Sequence, residues 1–423
     1  MRFRSKQRAI WGPPAIAVAF GLGASSTGCT QVIDVDDLRG DPGFADADAG
    51  LQDAGDEEAA PFDADVSDTS DASDAADTHD SSEQDAREDA PKACTETDLN
   101  CDGDALNGCE TDTLSDPLHC GSCGHDCLGG ACEDGGCHPV QIAGGQSNPF
   151  GITVEATTGR VYWTNSTSGE VASVGLDGSG YELHASGQAT PQSVRYHDGY
   201  LYWANAGEAA TGRIMKLDLS NSLALPEVFV DDQKNPMDLA FAFSRLYWTN
   251  NTADGAVMSV PMAGGSPEVV LGNLNRPGAI IADDSAVYAA VVLGRRLVGI
   301  GPSDELQMDQ QLDDMPAGLA TDLLDVYWTT LSGNVRKRSK LPNSPVLDVA
   351  TSSGLLTGIV LDSVHVYFAD TSQGIIYRVA KVGGSKTPVA LGQQSPFNMA
   401  GDADSVYWSN RVASGGSIMR LAK

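Results

Sequence analysis

Beyond about residue 139 the chain alternates apolar and polar positions in short runs, such as "GEVASVGL", "GRIMKLDL", "GAVMSVPM" and "GIIYRVAK", separated by Gly, Asn, Asp and Pro. Period-two alternation bounded by turn residues predicts β-strands, and no helical pattern interrupts it. A second run such as "SPEVVLG" or "TPVALGQ" follows each of these. Between them an aromatic word keeps returning: "VYWTN" (161–165), "LYWAN" (201–205), "LYWTN" (246–250), "VYAAV" (287–291), "VYWTT" (326–330), "VYFAD" (366–370) and "VYWSN" (406–410). Its tyrosines are spaced by 40, 45, 41, 39, 40 and 40 residues. Pro191, Pro236, Pro277, Pro316, Leu356 and Pro396 each stand eleven residues before their tyrosine, and Pro149 stands thirteen before its own. Four short strands in each period of about 40 residues form the pattern of a propeller blade, so the expected fold is an all-β, seven-bladed β-propeller.

The words resemble the YWTD repeats of the LDL-receptor class B family, which form β-propellers, and the resemblance covers roughly residues 139–423. It implies fold far more than function. Several positions depart from the family pattern. The terminal Asp survives only as Asp370, with Asn165, Asn205, Asn250, Asn410 and Thr330 elsewhere, and the fourth word lacks its Trp. Blade four is therefore expected to be the least regular. Seven words are present where the LDL-receptor propellers have six blades. The last repeat, "GSIMRLAK", stops one strand short, while "HPVQIAGG" ahead of the first looks like the final strand of the others. Pairing the two would close the ring without an exposed edge, which assigns His138 to Gly145 to the last blade. The Tyr and Trp residues are expected to be interblade packing, since apolar burial at roughly 25 cal/mol per Å² favours it.

Charge and composition change the picture at the N-terminal side. The 423 residues carry 26 basic and 58 acidic side chains, a formal charge of −32. That excess argues against nucleic acid and anionic lipid surfaces as partners. Arg2, Arg4, Lys6 and Arg8 precede the apolar run "AIWGPPAIAVAFGLGA", a secretory signal over 1–28. Its end, "SSTGC", resembles the lipobox of bacterial lipoproteins, with Ser26 in place of the usual Leu. The resemblance implies lipidation of Cys29 and anchorage of the mature chain to a membrane; Thr30 after it favours the outer membrane. Between Asp34 and Asp89 stand 21 acidic residues against Arg39 and Arg87. Too few apolar groups are present to offset the backbone entropy of ordering, so 29–92 is expected to be a disordered tether with a reach of roughly 40–45 Å.

Cys94, Cys101, Cys109, Cys120, Cys123, Cys127, Cys132 and Cys137 then crowd into 44 residues, and none occurs in the remaining 286. An even set in an exported segment with little apolar content predicts a module over 93–137 held by four disulfides, of open connectivity. Zinc is the competing reading, because "CGSCGHDC" places a C-x-x-C near His125, with His119 and His138 flanking. The spacing resembles cysteine-rich modules of exported myxobacterial proteins. Within it, "DLNCDGD" sets Asp98, Asn100 and Asp102 at alternate positions, then Gly103 and Asp104. This matches the first half of a calcium loop, where alternating oxygens converge on Ca²⁺. The second half departs from an EF-hand, with Cys109 at the twelfth position and Glu110 after it. A calcium-stabilised disulfide loop and a plain Asn/Gly turn are the two readings.

Catalytic motifs are missing: the sequence has no G-x-S-x-G, no H-E-x-x-H and no cysteine in the propeller. His184, His197 and His365 fall in different repeats, and Asp283, Asp322, Asp362 and Asp402 occupy one repeated place that suits a turn after the innermost strand. The residue after each repeat-opening position varies while the scaffold repeats: Phe150, Gln192, Met237, Gly278, Ala317, Thr357 and Phe397. These should lie near a channel mouth, where Phe150, Met237 and Phe397 would form an apolar contact patch or pack into the channel. The expected protein is thus an outer-membrane-anchored, non-enzymatic lipoprotein whose propeller binds a protein or glycan. The alternative is a propeller hydrolase or lyase of the lactonase kind, with a divalent metal in the channel.

Overall fold

A computed structural model describes residues 94–104, 108–207 and 211–423. Cys29, the signal over 1–28 and the tether over 29–92 lie outside the described residues. From residue 140 to the C-terminus, 28 strands form seven four-stranded antiparallel sheets, and no helix occurs among the described residues. In blade one the strands are Pro149–Glu155, Arg160–Asn165, Glu170–Gly175 and Glu182–Ala185. The other blades repeat this meander, with innermost strands Pro191–His197, Pro236–Ala242, Pro277–Ala282, Pro316–Thr321, Leu356–Leu361 and Pro396–Gly401. Neighbouring innermost strands touch in chain order, and the seventh returns to the first.

The closure is the one expected. Val140–Gln146 pairs antiparallel with Gly416–Ala422, Gly416 opposite Gln146 and Arg420 opposite Val140, and supplies blade seven with its fourth strand. Blade four keeps four strands, but Val287–Val291 and Arg296–Ile300 are five residues each, the shortest second and third strands of the ring.

The recurring Tyr-Trp pair follows from strand geometry, because adjacent residues point to opposite faces. In each word the Tyr therefore packs towards the next blade and the Trp towards the preceding one. Tyr162 shares a buried cluster with Trp203, Tyr202 with Trp248, Tyr288 with Trp328, Tyr367 with Trp408 and Tyr407 with Trp163. Where blade four has Ala289 in place of Trp, the cluster around Tyr247 is filled by Val287, Ile280 and Val298.

Two polar devices fasten the same seams. Gln146 Oε1 accepts from Trp163 Nε1 and Asn165 Nδ2, both at 2.8 Å. Gln188 does this for Trp203 and Asn205, Gln233 for Trp248 and Asn250, and Gln393 for Trp408 and Asn410. Each glutamine belongs to the preceding blade, so Trp and Asn of the word are joined across the seam. The Thr or Ser between them spans the opposite seam, to the next blade, near the axis. Thr329 Oγ1 accepts from Gly318 N at 2.9 Å and donates to Thr357 O at 2.6 Å, and Thr164, Thr249 and Ser409 act alike.

The eight clustered cysteines form four disulfides: Cys94–Cys109, Cys101–Cys123, Cys120–Cys132 and Cys127–Cys137. The module seats on blade seven beside the closing strand. His125 Nε2 lies 2.6 Å from the carbonyl oxygen of Lys423, Arg420 donates to Leu128 O, and Cys137 packs against the cluster of Trp408 and Met419.

Candidate functional site

Each innermost strand opens on a β-bulge. In blade two, Pro191 faces Asn205 but Val194 faces Trp203, and the same jump recurs in every blade. The irregular segment brings residues from positions two to five of the innermost strands to the axis, where they line a cavity of about 160 Å³. That volume is close to one that accommodates a benzene ring. Phe150, Met237 and Phe397, expected from the sequence as one patch, all line it. Phe150 is 3% exposed and its ring lies 5.1 Å from that of Phe397. The Arg411 guanidinium covers both rings, 5.1 Å from one centroid and 4.7 Å from the other, with Nε donating to Asn148 Oδ1 at 3.1 Å. Gly278, Ala317 and Thr357 join the wall. Gln192 does not; it is buried, and its amide donates to Thr190 O.

The wall is chemically two-sided. Blades four to seven present Ala279, Ile281, Val292, Ala317, Leu331 and Met399, with Thr357 and Asn398 among them bonded to the backbone carbonyls of Phe397 and Phe150, whereas blades two and three present Ser193, Arg195, Asp238 and Asn251. Arg195 NH2 donates to Asp238 Oδ1 at 2.9 Å, and its Nε donates to Leu239 O at 3.1 Å. The other Asp238 oxygen accepts from Ile280 N at 3.0 Å, across the next seam. Ser193 Oγ is buried and has no hydrogen-bond partner. Sequence reasoning took only the first residue after each proline and so missed Ser193, Arg195 and Asp238, at the second and fourth. The available signal was the same one: variation at innermost-strand positions within a repeating scaffold.

The other candidates lie elsewhere. Asp283, Asp322, Asp362 and Asp402 hold the turn after the innermost strand, each Oδ1 accepting two backbone N–H groups, such as Leu324 N and Asp325 N on Asp322. They also tie blades together: Lys340 of blade five reaches Asp283 at 2.6 Å, and Lys381 of blade six reaches Asp322 at 2.9 Å. Burial raises the Asp283 carboxyl, but the bonds from Lys340 and Ser285 outweigh it and hold the group at about 2. Among the histidines, His184 is bonded to Ser173 Oγ at 2.7 Å, and burial pushes its pKa down. His197 stacks on Phe241 at 4.2 Å, and His365 lies 3.3 Å from Asp362.

In the disulfide module Asn100 Oδ1 accepts from Gly103 N, Asp102 Oδ1 accepts from Asp104 N, and Glu110 Oε1 accepts from Cys101 N and Asp102 N. Asp98 pairs with Asp112 in a two-residue ladder. Among the described residues the metal-ligand types come together only at Cys120, Cys127 and Cys137, and all three are in disulfides.

No protein-family model matches the chain. A fungal protein from Pyricularia oryzae, low-density lipoprotein receptor-related protein 1, is 30% identical over 141 residues, which is 28% of this chain and 46% of that protein. The chain thus spans less than half the length of this curated relative. Among solved structures, a streptogramin B lyase superposes with a TM-score of 0.58 at 14% identity, over 67% of this chain and 97% of the lyase. Virginiamycin B lyase from Staphylococcus aureus gives 0.57 at 12% identity, over 68% and 98%. A catalytically inactive histidine-to-alanine variant of that lyase, solved with quinupristin, gives 0.56 at 12%, over 67% and 98%. The likenesses to solved structures show the propeller fold alone, and the match to the LDL-receptor-related protein supports its YWTD-like class.

Proposed function

We propose that this chain is an envelope-anchored, non-enzymatic binding lipoprotein, held to the outer membrane through Cys29, whose propeller is an interaction platform for a protein or glycan. The observation that supports it best is the axial cavity, which gathers Phe150, Met237 and Phe397 from three blades around a mostly apolar, ring-sized space. Hydrolysis or elimination through a divalent metal needs convergent ligands. Among the described residues the cavity wall contains one carboxylate, Asp238, whose two oxygens are already bonded, and no histidine. A histidine is the residue whose loss is named in the inactive virginiamycin B lyase. The test is capture from solubilised envelopes by the full chain, compared with Ala317→Phe, which fills the cavity. A partner retained by the parent and lost by the variant supports the reading; turnover of an ester or lactone that the same variant abolishes overturns it in favour of the enzyme.

A further inference from the structure

The two-sided wall narrows what the cavity accepts. Among the described residues, Arg195 and Asp238 are the only charged side chains lining it, and at 2.9 Å they neutralise each other. A second anion buried beside Asp238 would meet like-charge repulsion on top of its desolvation cost, and a cation would meet Arg195, so an uncharged ligand is favoured. The polar side is nevertheless rich in donors. Arg195 has five N–H groups, and Leu239 O, Val194 O and Asp238 account for three of them. The Ser193 hydroxyl, without a partner among the described residues, is buried away from the cavity, so Arg195 supplies the donors. Both Asp238 oxygens are occupied, so the site offers donors to an incoming acceptor. Opposite them stands an apolar wall, and the space between has room for one ring.

Resting on the binding function proposed above, we infer that the cavity takes an uncharged group joining an apolar, ring-sized body to a carbonyl oxygen, which the two remaining Arg195 N–H groups receive while the body lies against blades four to seven. A small amide or ester has this chemistry, and so does an aromatic residue within a polypeptide. A glycan, which needs many hydrogen-bond partners and little apolar wall, does not fit.

The test is calorimetric titration of the full chain with four probes: N-acetyl-L-phenylalaninamide, the pentapeptide acetyl-Gly-Gly-Phe-Gly-Gly-amide, the free acid N-acetyl-L-phenylalanine, and methyl glucoside. Binding of either amide, at least tenfold tighter than the acid and the glucoside, is expected. Arg195→Lys, which keeps the charge beside Asp238 but offers three donors in place of five, should weaken it about 3–10-fold. Ala317→Phe should abolish it with an unchanged far-ultraviolet spectrum, and Ala279→Leu serves if that variant is misfolded. A pentapeptide that binds tighter than the small amide points to a polypeptide ligand; equal affinity points to a small molecule. Preference for the acid or the sugar, or amide binding that both cavity-filling variants leave intact, overturns the inference. If no amide binds while Ala317→Phe still releases an envelope partner, the inference falls and the binding function stands; if nothing responds to Ala317→Phe, both fall.

Discussion

The glutamine seam predicts opposite outcomes at two blades. Gln146 is 7% exposed, and its Oε1 accepts from Trp163 Nε1 and Asn165 Nδ2, both at 2.8 Å. Gln146→Leu keeps the side chain's size but leaves two buried donors behind, Asn165 retaining only a long contact to Glu170 at 3.4 Å. Each orphaned donor costs about 1–3 kcal/mol, so the loss is about 2–5 kcal/mol. A domain of this size melts about 2–4 °C lower per kcal/mol, giving a drop on the order of 5–15 °C. Blade five presents the converse. Leu312 takes the glutamine's place, its N–H donating to Arg295 O as Gln188 N does to Gly169 O, and Thr330 replaces the Asn. Trp328 Nε1 is accordingly buried without a partner. Leu312→Gln, with Thr330→Asn, should supply the acceptor and raise stability by about 1 kcal/mol. Guanidinium midpoints followed by Trp fluorescence measure both. The reasoning is refuted if Gln146→Leu stays within experimental error of the parent, or if the blade-five double variant loses as much as Gln146→Leu.

Thr329→Val removes the hydroxyl between Gly318 N and Thr357 O and should cost about 1–3 kcal/mol by denaturant midpoint; a neutral result would show that the seam does not depend on it. Deleting residues 138–146 strips blade seven of its outer strand and exposes the edge of Gly416–Ala422, so the melt should fall sharply, and an unchanged melt rejects the closure. Asp283 is held at about 2, below its usual 3.8, so its stabilising contribution is complete above about pH 4 and is lost as pH falls through 2. Asp283→Asn should flatten that acid limb of the stability curve; an acid limb identical to the parent's denies the Lys340–Asp283 tie. In the disulfide module the Asn100 and Asp102 oxygens already accept loop N–H groups, so millimolar Ca²⁺ should leave the melt unchanged, and a rise of several degrees would establish a calcium loop.

Blade number, strand order and the closing strand were legible because each depends on patterns that sequence displays directly: period-two alternation, a forty-residue repeat, and an orphan strand at each end. The seam chemistry was only half legible. Tyr and Trp announce burial by their nature. The partners of Trp163 and Asn165 carry a fainter mark: Gln146, Gln188, Gln233 and Gln393 stand 17, 15, 15 and 15 residues before their tryptophans, but a glutamine does not announce burial by its nature. The turn role of Asp322 and its counterparts could be read from their fixed place. The lysines that reach them from the next blade, 57 and 59 residues on, could not. In the cavity, the apolar trio was found because repeat-opening prolines mark the strand starts. The polar side was hidden by the bulge, which shifts which residues face the axis and cannot be inferred from alternation.

That bulge also explains why Ser193 stands apart. Its position, two after the repeat-opening residue, faces the next blade's innermost strand, and apart from Ala279 in blade four the other blades hold two kinds of residue there. One is glycine: a Cβ on Gly151, Gly318 or Gly358 would collide with the backbone of Gln192, Thr357 or Phe397, so a side chain would wedge the blades apart. The other is a side chain that bonds across the seam, as Asp238 does to Ile280 N and Asn398 to Phe150 O. Ser193 belongs to neither kind, since its hydroxyl is buried at 3% exposure and bonds nothing in the ring. Closing the propeller does not require that hydroxyl. Because a buried unpaired hydroxyl costs about 1–3 kcal/mol, against about 0.5–1 kcal/mol for a glycine within a strand, Ser193→Gly should leave the fold as stable as the parent or more so. A residue that the ring needs would show the opposite, with stability lost, so this one variant decides whether closure depends on Ser193.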